Sequence, residues 1–251
     1  MRYNHRVFSV SSVVLFAYSI FCYIATLGAL VYFMVFSSGL YEPISVNSQV
    51  ARHDWLTALA INICLLSVFG VQHSVMARQP FKSWLARFLP VSVERSTYCL
   101  ASACVLALIP FAWVPIEGIV WELNSPILSV VVQVGSVAGW TILLVATFQI
   151  GHFELFGLKQ TYFTMQGEIV PASTFKTPGL YRIVRHPIQL GVLMGMWLVP
   201  TSTSSHLMLS LGMTVYVLVG LYFEEKDLVR EYGNRYQDYR QRIAKLIPFI
   251  V

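Results

Sequence analysis

Arg185-His186-Pro187 begins an apolar hairpin and Glu224-Glu225 ends it, with a turn near Thr201–Ser205 between them. A chain entering hydrocarbon keeps ionisable side chains away unless function holds them there. His186 lies about 14 residues from the turn and Glu224 about 20, so at ~1.5 Å per residue their depths differ by one or two helical turns. The spacing thus predicts a cation, an imidazole and two carboxylates gathered at one end of the hairpin, the complement of a small zwitterion. Pro187 suits the first turn of a helix, where its missing N–H is not needed. His186 then stands at the N-cap beside free backbone N–H groups, which attract carboxylates. Gly191, one turn on, leaves room for a ligand or for a close helix neighbour. Adjacent carboxylates at a helix C-terminus oppose the helix dipole, so Arg185, Arg182 or a bound cation is expected to compensate.

A second set of candidates comes from other parts of the chain. Gln72-His73-Ser74-Val75-Met76-Ala77-Arg78 ends one apolar stretch, and Glu94-Arg95-Ser96-Thr97-Tyr98 begins the next. Gly151-His152-Phe153-Glu154 leads through Lys159 to Gln160 after a third. All of these fall on the same side as the hairpin motif. His73, His152 and Glu154 are candidate proton acceptors, because an imidazole with an ordinary pKa near ~6.5 is largely neutral at cytoplasmic pH. Packing histidines, topology-setting arginines and a helix-start acid would account for the same residues one at a time.

The elements that position these residues are membrane spans. Hydrophobic residues make up 56% of the 251 and charged residues 12%, against roughly 25% charged in a soluble chain. Apolar stretches at 9–36, 54–77, 96–114, 127–150, 186–200 and 204–223 predict an all-α polytopic bundle of about six spans. The fifth, at about 14 residues or ~21 Å, is short for a ~30 Å core and is expected to cross as half of a tight hairpin over 186–223. Of the 17 Lys and Arg, all but Arg52 fall on one side, in the groups Arg2 to Arg6, Arg78 to Arg95, Lys159 to Arg185 and Lys226 to Lys245. The positive-inside rule then puts both termini in the cytoplasm. The net charge of +5 follows from that topology and from contact with anionic lipid, and implies no nucleic-acid partner. The first span is too long for a cleaved signal segment and lacks a small-residue cleavage site.

Cys22, Cys64, Cys99 and Cys104 lie inside spans without Cys-x-x-Cys spacing, so neither a disulfide nor a metal site is expected. The chain reads as a single domain, 1–251. The long Gly- and Pro-bearing loop 151–185 is the kind that carries function. Residues 224–245 hold 11 of the 29 charged residues. The apolar stripe Leu228, Tyr232, Tyr236, Tyr239, Ile243 and Leu246 predicts one amphipathic cytoplasmic helix that lies on lipid or covers the mouth.

The segment from Thr177-Pro178-Gly179 to Gly191, with Tyr222-Phe223-Glu224-Glu225 and Tyr236 and Tyr239, resembles the isoprenylcysteine carboxyl methyltransferase-like superfamily of integral-membrane methyltransferases. Gln189 departs from the usual aromatic residue there. With the motifs around His73, Glu94 and His152, the resemblance extends over about 70–245 to the bacterial methanethiol S-methyltransferases. It implies S-adenosylmethionine as cofactor, bound without a Rossmann domain by about 151–245, and a small thiol as acceptor, methanethiol becoming dimethyl sulfide. On this likeness Gln160, Gly179, Leu180, Tyr181, Arg185, His186, Pro187, Gln189, Gly191, Glu224 and Glu225 bind the cofactor, and His73, Arg78, Glu94, His152 and Glu154 serve the acceptor. The implied setting is the bacterial inner membrane, with membrane lipid and no protein as partner. Two other readings stay open: a prenylcysteine or phospholipid methyltransferase, and a haem-binding or transport protein using His73 and His152.

Overall fold

The computed structural model describes residues 10–48, 50, 53–172 and 174–248; Arg2, Arg6 and Arg52 of the charge reading fall outside them. Helices α1 (Val10–Ser38), α2 (Trp55–Met76), α3 (Gln79–Leu85) and α4 (Glu94–Ala112) come first. A short strand β1 (Ile119–Glu122) precedes α5 (Pro126–Ile150), followed by α6 (His152–Leu155) and α7 (Leu158–Gln166). The hairpin comprises α8 (Pro187–Trp197), strand β2 (Thr201–Thr203) and α9 (Ser204–Tyr232), and α10 (Asn234–Arg242) follows. Among the described residues five helices are long and apolar enough to cross a membrane, and α8 is a shorter apolar helix, so the protein is an all-α polytopic membrane bundle.

Local chemistry fixes the helix ends. Asp54 caps α2 by accepting from Thr57 N–H at 3.0 Å and Thr57 Oγ1 at 2.7 Å. Ser125 and Thr203 cap α5 and α9, and Pro126 and Pro187 occupy first-turn positions. Gly151, at φ +124°, turns the chain out of α5.

The short α8 is held by α5. The run Gly135-Ser136-Val137-Ala138-Gly139 faces Gly191-Val192-Leu193-Met194-Gly195. A Cβ on Gly139 would come within 2.6 Å of the Gly195 nitrogen, and one on Gly191 within 2.5 Å of the Gly139 carbonyl oxygen. Ser136 Oγ donates to the Gly195 carbonyl at 2.7 Å. Paired Gly-x-x-x-Gly faces are how membrane helices approach closely. They decide the alternatives at Gly191: its missing side chain is taken up by a helix neighbour.

α8 spans 11 residues, ~16 Å at 1.5 Å each. An extended segment completes the crossing, with β2 pairing antiparallel to β1 in the register Ile119↔Thr203, Trp121↔Ser202 and Glu122↔Thr201. Trp121 Nε1 donates to the Val199 carbonyl at 3.1 Å and Leu123 N–H to that of Pro200 at 3.0 Å, so these backbone groups do not reach lipid unpaired.

The apolar core, built around Phe33, Phe36, Leu65, Ile109, Trp113 and Leu209, fills the half of the bundle near this strand pair. The other half, toward the Arg- and Lys-rich face, mixes buried apolar residues such as Leu143, Ala146, Val217 and Leu221 with buried polar ones such as Arg185, His186 and Glu225.

One expected boundary moves. Residues 224–245 do not form a separate helix. α9 continues through Glu224 and Glu225 to Tyr232, and the break comes at Gly233 with φ +58°. The two carboxylates therefore sit about two turns inside a helix instead of at its C-terminus, and the dipole conflict expected from the sequence does not arise.

Candidate active site

Residues 184–186 are fastened from two sides. Val184 pairs with Ala244 as a parallel bridge, Arg185 N–H donates to the Ala244 carbonyl at 2.8 Å, and His186 N–H donates to that of Lys245 at 3.2 Å. The His186 amide, expected to face a ligand, is thus taken by the C-terminal segment. The first-turn N–H groups that remain without an intrahelical partner belong to Ile188 and Gln189, since Pro187 has none. Tyr239 Oη donates to the Tyr181 carbonyl at 2.5 Å, tying α10 to the turn before α8. Burial pushes the Tyr239 phenol up to about 12, and raises Tyr181 and Tyr236 as well, so all three remain protonated donors.

The neighbouring glutamates differ sharply. The Glu225 side chain is 9% exposed, and its Oε1 lies 2.8 Å from Arg185 Nε and 3.2 Å from His186 Nε2. Arg240 Nε is 3.7 Å from its other oxygen. The Arg185 guanidinium also donates to the Arg240 and Ile243 carbonyls at 2.8 and 2.5 Å. A buried charge persists when it is paired and fully hydrogen-bonded, and this group meets both conditions. Glu224 is 46% exposed, with Oε1 3.9 Å from His186 Nδ1 and Oε2 accepting from Gln189 Nε2 at 3.2 Å. Arg95, Tyr98, Tyr181 and Tyr216 lie within its electrostatic reach. Glu225 holds the site together, and Glu224 presents a carboxylate to it.

Across from this pair, α2, α4 and α9 bring aromatic rings around His73. Its centroid is 5.5 Å from Phe69, 5.1 Å from Tyr98 and 5.8 Å from Tyr216. His73 Nδ1 is 3.2 Å from Ser102 Oγ, and Nε2 has no hydrogen bond among the described residues. Arg95 donates from Nε to the Leu155 carbonyl at 2.8 Å and lies 5.6 Å from the Tyr98 ring. Arg78 pairs with Asp227 at 2.6 Å and sits 4.8 Å from the Phe223 ring, one residue before Glu224.

The remaining candidates are placed elsewhere. Glu94 faces Lys82 at 3.8 Å. His152 is buried against α1 and α5, with Nε2 2.9 Å from Tyr23 Oη, Nδ1 2.8 Å from Thr147 Oγ1, and its ring stacked 4.0 Å from Phe148. Both nitrogens are engaged, which leaves no ligand position for haem iron. Burial also holds this imidazole below its ordinary value, hence neutral. Glu154 pairs with Lys159 at 2.7 Å and Gln160 Nε2 donates to the Glu154 carbonyl at 3.0 Å. Gly179, at φ +47°, lies against the Gln149 amide, whose Oε1 accepts from Leu180 N–H at 2.9 Å.

Ser102 and Tyr216 are site neighbours outside the motifs read from the sequence, and Tyr98 and Asp227 lie inside those motifs without having been given a role. The available signal was tyrosine at the charged ends of apolar spans, with Tyr216 two turns before Glu224 on one helix.

Among the described residues the chain is a polytopic helical bundle that gathers charged and aromatic side chains at one face, with no nucleotide-binding α/β domain. The chain belongs to the NnrU protein family, whose model matches residues 61–249. It is 40% identical to methanethiol S-methyltransferases of Crocosphaera subtropica, over 93% of this chain and 91% of that protein, and of Mycobacterium tuberculosis, over 90% and 93%. Nurim of Rattus norvegicus is 33% identical over 71% of this chain and 74% of its own length. The resemblance carried by the motifs is borne out by these relatives. No solved structure matches the chain.

Proposed function

We propose that this chain transfers a methyl group from S-adenosylmethionine to methanethiol, releasing dimethyl sulfide, as a single integral domain of the bacterial cytoplasmic membrane with both termini inside. The observation that carries this reading is His186 held between Glu225 and Glu224, beside the His73, Tyr98 and Tyr216 cluster, in a chain whose relatives bear the methanethiol S-methyltransferase name.

The residues present fit the donor. Glu224 suits its ammonium or ribose hydroxyls. The Ile188 and Gln189 amides and His186 Nδ1 suit its carboxylate. Leu180 and Tyr181 wall the adenosine. Tyr236 Oη and Gln160 Oε1, buried with no protein partner among the described residues, have hydrogen-bonding capacity to spare. When bound, S-adenosylmethionine supplies a methyl group already activated on a sulfonium.

The protein must align the acceptor behind that methyl, exclude water and take a proton. Tyr98 and Tyr216 offer ring faces that favour positive charge. His73 Nε2 accepts the thiol proton, with Ser102 fixing the ring, and the Arg95 charge favours the resulting thiolate. Methanethiol is apolar and enters from hydrocarbon, which accounts for a membrane enzyme with so small a substrate.

Purified protein given labelled S-adenosylmethionine with methanethiol, a prenylcysteine mimic or phosphatidylethanolamine is expected to label only dimethyl sulfide. A prenyl-length acceptor turned over as fast as methanethiol would move the assignment to the prenylcysteine class. In equilibrium binding, Glu224→Gln and His186→Ala are each expected to weaken the donor by ~1.5–3 kcal/mol, or roughly tenfold to a hundredfold. Unchanged affinity in both folded variants would remove the donor from this position.

A further inference from the structure

A concavity lies among α1, α5, α6 and α7, lined by none of the residues around His73 or Glu224. It is a groove of about 840 Å³, in the upper part of the ~300–1,000 Å³ range that holds drug-sized ligands and far larger than a one-carbon thiol fills. Phe16, Ile20, Tyr23, Phe148, Phe153 and Tyr162 form its walls. Several turn outward from the bundle: Phe148 is 60% exposed and Phe153 54%. On a membrane helix such exposure faces acyl chains.

The groove has a polar end toward the Arg- and Lys-rich face, formed by Glu154, Lys159 and Lys176. Glu154 is satisfied by Lys159 at 2.7 Å. An ammonium has three N–H donors, so Lys159 keeps two, and Lys176 is exposed and lines the same groove. The end therefore carries one net positive charge, on the Arg- and Lys-rich side of the bundle. His152, with both ring nitrogens engaged, contributes only a stacked wall.

From the apolar trough joined to two ammonium groups, we infer that this groove binds one anionic phospholipid, an acyl chain along Phe148 and Tyr162 and its phosphate between Lys159 and Lys176. Occupancy would brace α6, whose Leu155 carbonyl holds Arg95. The inference does not depend on the chemistry at His73.

The test is native mass spectrometry of the detergent-solubilised full chain, titrated with phosphatidylglycerol, with phosphatidylcholine of the same chains, or with glycerol 3-phosphate. Wild type is expected to retain phosphatidylglycerol about tenfold more tightly than phosphatidylcholine and to ignore glycerol 3-phosphate. Lys176→Ala should remove most of that preference, and the double variant Lys159→Ala/Lys176→Ala all of it. The single variant touches only an exposed side chain, so the result stands even if the double variant folds poorly. Equal retention of the two lipids, or a preference unchanged in Lys176→Ala, would overturn the site. Glycerol 3-phosphate bound as tightly as the lipid would overturn the acyl-chain part and leave a soluble-anion site.

Discussion

His73→Ala is expected to lower methyl transfer by ~10²–10⁴ while leaving donor affinity unchanged. The ring is held by Ser102 at Nδ1 and packed among Phe69, Tyr98 and Tyr216. A fixed ring with one unengaged nitrogen is what a general base requires. A free cysteine thiol has a pKa near ~8.5 and a simple alkyl thiol lies higher, so at neutral pH little acceptor is ionised without help. In the variant the thiol must ionise unaided. The pH optimum of turnover at saturating donor should therefore shift upward, and activity should recover partly in alkaline buffer. A packing role would reduce activity at every pH and leave the optimum where it was. Wild-type turnover at neutral pH would make His73 a packing residue. His152 would be a poor replacement because Tyr23 and Thr147 already take its nitrogens.

The contrast between these histidines marks what was legible in the sequence. Both end apolar spans near charged residues, and spacing alone gives them equal standing. The structure separates them because α1 packs beside His152 and carries Tyr23, a contact between positions 129 residues apart. The hairpin pairing was legible because helical rise alone puts His186 and Glu224 within one or two turns of the same depth, and the extended segment after α8 lengthens the shorter leg. The strand pair β1–β2 was not, since Thr201–Thr203 reads as a turn and gains strand character only by meeting Ile119–Glu122.

Gly191 shows a related limit. A glycine one turn into a helix beside charged residues suits a ligand as well as a neighbour. The deciding signal was the second Gly-x-x-x-Gly, at Gly135 and Gly139 in another span. The helix boundary at Gly233 was masked in a similar way, because Leu228, Tyr232, Tyr236 and Tyr239 keep one apolar stripe across the break. Periodicity reports which face is buried, and not whether the backbone is continuous.

Glu224 and Glu225 are adjacent and identical in type, and their substitutions are expected to part company. Glu225→Ala leaves the Arg185 guanidinium buried beside His186 with no carboxylate. Breaking a buried pair by removing one partner costs ~3–5 kcal/mol, which for a chain of this size lowers the melting temperature by on the order of 10 °C. Arg185 also holds the Arg240 and Ile243 carbonyls, so the C-terminal segment should loosen at the same time, and hydrogen exchange at 184–186 and 243–245 should accelerate. Glu224→Ala removes a half-exposed carboxylate whose partners are Gln189 and a more distant His186 contact. It should leave the melting temperature within a few degrees of wild type while losing donor binding. Arg185→Ala should reproduce the Glu225→Ala instability, and the double variant Arg185→Ala/Glu225→Ala should be no less stable than either single one, because each single change leaves a buried charge that the double change does not. Thermal melts of wild type and the four variants in one detergent decide the point. Equal melting temperatures for the two glutamate variants would mean that Glu225 is not the structural half of the pair.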